Sequence, residues 1–168
     1  RIDAAGSGQY AELDEVGRYH VKLAFDRSKP ADGTASQPMR MVQPYGGSDH
    51  GVHFPLHKSA EVLLLHVNGD PDRPIIAGSV PNPDVPSVVT GANQTQSVIR
   101  TAGHNELRFE DLKGSEQIFM HATKDRVTEV LNDDTETIGQ DEKIKIGRNK
   151  DESIGLASQE KVGAAKHV

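Results

Sequence analysis

The chain contains no cysteine and no tryptophan, and aromatic residues make up only 4% of its 168 positions. Without cysteine there is no disulfide framework and no thiolate metal site, and the redox compartment leaves no mark. Hydrophobic residues reach 35%, a thin supply for one self-contained core, so part of the burial is expected between chains. No stretch approaches the roughly 18 consecutive apolar residues of a membrane-spanning helix. No signal-peptide pattern opens the chain, and its start at Arg1 rather than Met reads as a fragment. The net charge of −6 and pI near 5.7 speak against nucleic-acid binding. HExxH, GxSxG, GxGxxG and Walker A patterns are all missing.

What is present is a repeat. Gly139, Gly147, Gly155 and Gly163 are spaced eight apart, and each follows a β-branched aliphatic: Ile138, Ile146, Ile154 and Val162. Helix-pair repeats need roughly 33 or 34 residues, whereas eight suit one short strand and one corner. Ile and Val favour strands, and glycine permits the positive φ that a sharp corner often takes. In a helix those glycines would cost about 1 kcal/mol each.

The octads carry few other apolar side chains, Ile144 and Leu156 among them. One such chain buries too little to offset the roughly 1–2 kcal/mol per residue lost on ordering its backbone. A monomeric solenoid with three sides per coil would be left with little more than one coil, against the three or so stacked repeats that stability requires. A disordered polar tail would not hold four aliphatic–glycine pairs in one register. The preferred arrangement is a triangular prism of three chains. Their aliphatics share the axis, and each strand edge is covered by a neighbour.

Upstream, 17–26 (GRYHVKLAFD) alternates as a half-buried strand, with Tyr19, Val21, Leu23 and Phe25 on one side. Segments 38–44, 60–67 and 74–80 read as further strands, with 60–67 the most apolar and central. Asn68-Gly69-Asp70-Pro71 is a turn signal. Short strands between turns indicate a small OB-like barrel. From 97 the texture shifts to short alternating strands. Leu107 and Phe109 share one face, Ile118 and Met120 another, and Gly103 and Gly114 mark bends.

The segments GRYHVKLAFD, PMRMVQPYGG, HGVHFPLHKSAEVLLLHVNGDPDRPIIAGSVPNP, TAGHNELRFED and GSEQIFMHA, followed by the octads, resemble valine-glycine repeat protein G (VgrG), the type VI secretion spike family. This family is similar in turn to the central spike of contractile phage tails. The resemblance covers about residues 10–165. It implies an all-β protein: an OB-fold-like barrel, a neck, and an intertwined trimeric β-helix or prism of octapeptide repeats. The expected boundaries are a lead-in over 1–14, the barrel over 15–96, a β neck over 97–128 and the triple-stranded β-helix from 129 to 168.

The resemblance also implies a homotrimer that caps the Hcp tube through base domains that this sequence lacks. A PAAR-repeat tip protein or effectors would ride on it, and the target envelope would be met transiently. The protein would be made in the bacterial cytoplasm and secreted by the type VI apparatus into target cells or medium. A phage or prophage baseplate spike has the same architecture. Leu131 stands where the first octad should have glycine.

Candidate chemistry is sparse. His50, His53 and His57 suggest a metal, but nearby proline and glycine place them on a loop, and they read as structural histidines. His167 is a weak candidate for an axial metal at a symmetric tip. Glu106, Glu110 and Asp111 could be imagined as a glycosidase pair in an envelope-polysaccharide-degrading enzyme. On one alternating strand they read instead as a solvated face. No catalytic or cofactor-binding residue is assigned. The structural assignments are Ile138, Ile146, Ile154 and Val162 for the axial core and Gly139, Gly147, Gly155 and Gly163 for the corners.

The prism makes Ile146→Asp a severe change, because it sets three carboxylates around one axis. Burying an unpaired charge costs several kcal/mol. The variant should fail to form trimers in sedimentation equilibrium at micromolar concentration, and an unaltered melting curve would contradict the prism.

Overall fold

The computed structural model describes residues 1–28 and 30–163. It separates into two compact units, 1–124 and 125–168. Apart from the single short turn Val67–Gly69, regular structure among the described residues is all strand. The fold is all-β.

The first unit carries β1 (Ile2–Asp3), β2 (His20–Val21), β3 (Val62–His66), β4 (Pro74–Ser79), β5 (Gln96–Arg100), β6 (Glu106–Glu110) and β7 (Gln117–His121). β1 pairs antiparallel with β2, joining Ile2 to Val21 and Asp3 to His20. Tyr19 and Met39 then exchange backbone hydrogen bonds of 2.9 and 2.7 Å, bringing in segment 39–42. That segment runs parallel to β4: Ile76 N–H donates to the Arg40 carbonyl at 2.9 Å, and Val42 N–H to the Ile76 carbonyl at 2.8 Å. β4 pairs antiparallel with β3. The ring closes where Ile2 N–H donates to Ala60 O at 2.8 Å and Ser59 N–H to Ile2 O at 3.0 Å. The result is a five-membered ring in Greek-key order with one parallel pair, closed through the contact of Ile2 with Ser59 and Ala60.

Ile2, Tyr19, Val21, Met39 and Ile76 fill this barrel, with Met41, Leu56, Val62 and Leu64 packed half-buried around them. Tyr19 is fully buried, so its hydroxyl needs a partner. It accepts the Leu56 N–H at 3.1 Å. The β3–β4 loop takes its tight course because Asn68 and Gly69 both adopt left-handed φ, 54° and 74°.

Three expectations change. β1 lies inside the stretch read as a lead-in, and Ile2 and Ala4 are both core residues. A strand of two residues offers no alternation to detect. The alternating run 17–26 pairs only as far as Lys22, which exchanges hydrogen bonds of 2.8 Å with Arg1, and the chain then turns, with Asp26 N–H donating to Leu23 O at 3.2 Å. Phe25 is consequently 80% exposed. β3, expected as the central strand, pairs with β4 alone, and Leu63 and Leu65 are exposed.

β5, β6 and β7 form a separate antiparallel meander in that order. The second unit has no strand ladder among its described residues, and every described residue from Thr123 onward is exposed.

Ile76→Ala should cost about 2–5 kcal/mol. Phe25→Ala, despite removing a larger side chain, should change stability by less than about 0.5 kcal/mol. Urea midpoints of the two variants check this ordering, and equal losses would contradict the assigned core.

Candidate functional site

Antiparallel register sorts the meander's side chains onto two unlike faces. Ile99 stands opposite Leu107, and Leu107 opposite Met120; Ser97 stands opposite Phe109, and Phe109 opposite Ile118. The apolar residues of β6 and β7, expected on separate faces, therefore lie together on one. Alternation within each strand was readable, but only the loop lengths at 101–105 and 111–116 set the strands against each other.

The opposite face carries the charge. Glu106, with a side chain only 8% exposed, accepts a short hydrogen bond from Arg100 Nε. Its other oxygen lies 3.2 Å from Arg108 Nη1, an ion pair rather than a well-directed hydrogen bond. Arg108 in turn stacks over the Phe119 ring at 4.6 Å. Glu110 accepts from Gln96 Nε2 and from the Leu112 N–H, both at 3.0 Å. The Arg100 hydrogen bond holds the Glu106 carboxyl below the ordinary glutamate value, and the hydrogen bond from Thr95 does the same for Glu110. A glycosidase general acid needs the opposite shift. These carboxylates are occupied as structural acceptors.

The three loop histidines do not converge. His50 Nδ1 lies 3.2 Å from Asp49, and His57 packs edge-on to Tyr10 at 4.8 Å. His53 stacks on Tyr19, with Nε2 3.4 Å from its hydroxyl and Nδ1 3.1 Å from the Gln43 amide. Among the described residues no group of three His, Cys, Asp or Glu side chains could hold a metal. His167 lies outside the described residues.

In the second unit the eight-residue register appears as geometry. The chain bends at 131–132, 139–140, 147–148, 155–156 and again at 163. Ile138, Ile146, Ile154 and Val162 are 45–49% exposed, and Val130 matches them at 48%. Off-register apolar side chains are barer, Ile144 at 67% and Leu156 fully exposed. None of Gly139, Gly147, Gly155 or Gly163 has a left-handed φ, and a Cβ built on any of them meets no atom within 4 Å. The positive-φ reason for these glycines therefore falls. A bend without that demand also explains how Leu131 occupies the first one.

A closed barrel followed by a meander and an octad arm defines a class, the baseplate-type spike. Two family models match its two parts: the type VI secretion system/phage-baseplate injector OB domain over residues 11–80, and the bacteriophage T4 gp5 C-terminal trimerisation domain over 91–168. The chain is 37% identical over 144 residues to the type VI secretion system spike protein VgrG1b of Pseudomonas aeruginosa, spanning 80% of this chain and 19% of that protein. It is 34% identical over 145 residues to spike protein VgrG3 of Vibrio cholerae, spanning 83% of this chain and 14% of that one. The chain belongs to the VgrG family of type VI secretion spike proteins. It spans a fifth or less of the length of these relatives.

The depressed Glu106 value carries a pH consequence. Its contribution to stability is fully present above the ordinary glutamate value of 4.5 and is lost as pH falls through the lower folded value. Glu106→Gln should therefore lose less stability than the parent on acidification below pH 4.5. Denaturant midpoints between neutral and acid pH test this, and parallel profiles would refute it.

Proposed function

We propose that this chain is the barrel-and-needle part of a rigid homotrimeric secretion spike. One observation carries the reading. The arm over 125–163 is exposed throughout, bends every eighth residue and keeps one aliphatic row half-covered at each repeat. An extended chain with no ladder of its own needs neighbouring strands to satisfy its backbone. The trimerisation-domain match names the kind of neighbour, further copies of the same chain.

On this reading 129–168 is the triple-stranded β-helix, 97–128 the neck and the ring upstream the collar. Ile138, Ile146, Ile154 and Val162 meet near the shared axis. The octad glycines serve the corners by leaving room for the adjoining chains rather than by adopting unusual φ. The work is mechanical: a stiff rod concentrates force on a target envelope. Base domains outside this chain would dock it on the Hcp tube, and a PAAR-repeat tip or effectors would travel with it. The type VI apparatus would carry it out of the cytoplasm. A phage or prophage baseplate spike is the second reading, favoured by the phage component of both matching models. Neighbouring genes separate the two.

Sedimentation equilibrium should give three times the 18.2 kDa chain mass. A folded monomer at micromolar concentration would overturn the proposal. Gly147→Ala separates the two explanations of the glycines. In a lone chain the open space at Gly147 makes the change neutral or stabilising by up to about 1 kcal/mol. Against neighbouring chains it should instead lower the melting midpoint by at least about 4 °C.

A further inference from the structure

Tyr19 and Met39 point into the ring as a hydrogen-bonded cross-strand pair. The next positions in that antiparallel register are Arg18 and Arg40, which alternation turns outward. Arg73, the residue before β4, joins them because segment 39–42 runs parallel to β4. All three arginines line one surface cavity of about 240 Å³, with Pro38 and Pro74 in its wall and Asp72 its single carboxylate.

Like charges directly opposite one another on neighbouring strands repel, so this placement costs stability unless an anion lies between them. Asp14 supplies part of that charge, accepting from Arg18 Nε at 2.6 Å and from the Arg18 N–H at 2.9 Å. The contact fixes Arg18 through Nε and leaves its terminal amino groups to the cavity. Among the described residues no ion pair includes Arg40 or Arg73. Three guanidinium groups at one cavity stand out in a chain of net charge −6.

We infer that this cavity is a phosphate-binding site, taking a phosphate group carried by a lipid headgroup or present as the free ion. The guanidinium groups come from three separate segments, at positions 18, 40 and 73. They suit a tetrahedral anion with oxygens in several directions, whereas one bidentate arginine already fills a planar carboxylate. Asp72 offsets one of the three positive charges and leaves an excess for the ligand. The volume is below the roughly 300–1,000 Å³ of pockets for drug-sized molecules, so the cavity takes the charged group alone. The site lies within the first unit and stands whether or not the trimer reading holds.

Two probes test it on the full chain. Inorganic phosphate is titrated by calorimetry, with chloride at matched ionic strength as the control. Vesicles of phosphatidylglycerol are compared in cosedimentation with phosphatidylcholine, whose choline neutralises its phosphate. At least one probe should bind. Arg40→Gln and Arg73→Gln should each weaken that binding at least about tenfold, the loss of a charge-assisted hydrogen bond. Arg27→Gln, exposed and outside the cavity, should leave it unchanged. Arg40 and Arg73 are exposed, so neither substitution should lower the melting midpoint. Vesicle binding assigns the headgroup as source, and phosphate binding without it assigns the free ion. Silence from both probes, or binding that survives both substitutions, would overturn the site. So would binding of polyglutamate without a response to either probe, which assigns the cavity to an acidic protein segment.

Discussion

Among its described residues the C-terminal unit bends every eight residues and forms no strand ladder of its own. That constraint governs the C-terminal unit. Each N–H and C=O in an extended segment needs a partner, and the partner must be water or another strand. Water alone would leave the segment disordered, because a row of five aliphatics cannot offset the entropy of ordering some forty residues. On the proposed reading, another copy of the chain supplies both the strand and the apolar contact. The half-covered row at Val130, Ile138, Ile146, Ile154 and Val162 is the geometric trace of that requirement.

The barrel answers the same backbone demand in the opposite way. Segment 39–42 bridges β2 to β4, and Ala60 returns the ring to Ile2, so the backbone is satisfied within one chain. The core needs only a handful of side chains, with Tyr19 at its centre and its hydroxyl satisfied by Leu56. The meander is intermediate. Its strands pair among themselves and its charged face is ion-paired across them, but its apolar face has no covering layer within its own sheet. Going along the sequence, burial within the chain thus declines from the barrel to the exposed C-terminal arm.

Legibility followed the same division. The octads were readable because period, aliphatic and glycine recur together, and one chain plainly has too few sides to close a coil. The barrel was readable from turn chemistry at Asn68-Gly69 and alternation at Tyr19 and Val21. β1 was not, since two residues carry no pattern. Leu23 and Phe25 continued an alternation that pairing had already abandoned, because no local rule marks where a partner strand ends. The glycines were legible as corners but not in their reason, as the absence of left-handed φ shows.

The sequence by itself determined the all-β class, the family and the eight-residue register, because these depend on local residue types and their spacing. Only the tertiary structure decided that Ile2 belongs to the core and that the barrel closes through Ala60. It alone put Leu107, Phe109, Ile118 and Met120 on one open face. Those outcomes depend on which strand lies beside which and in what register. Register is set by long-range hydrogen bonds that leave no periodic signature in either strand alone.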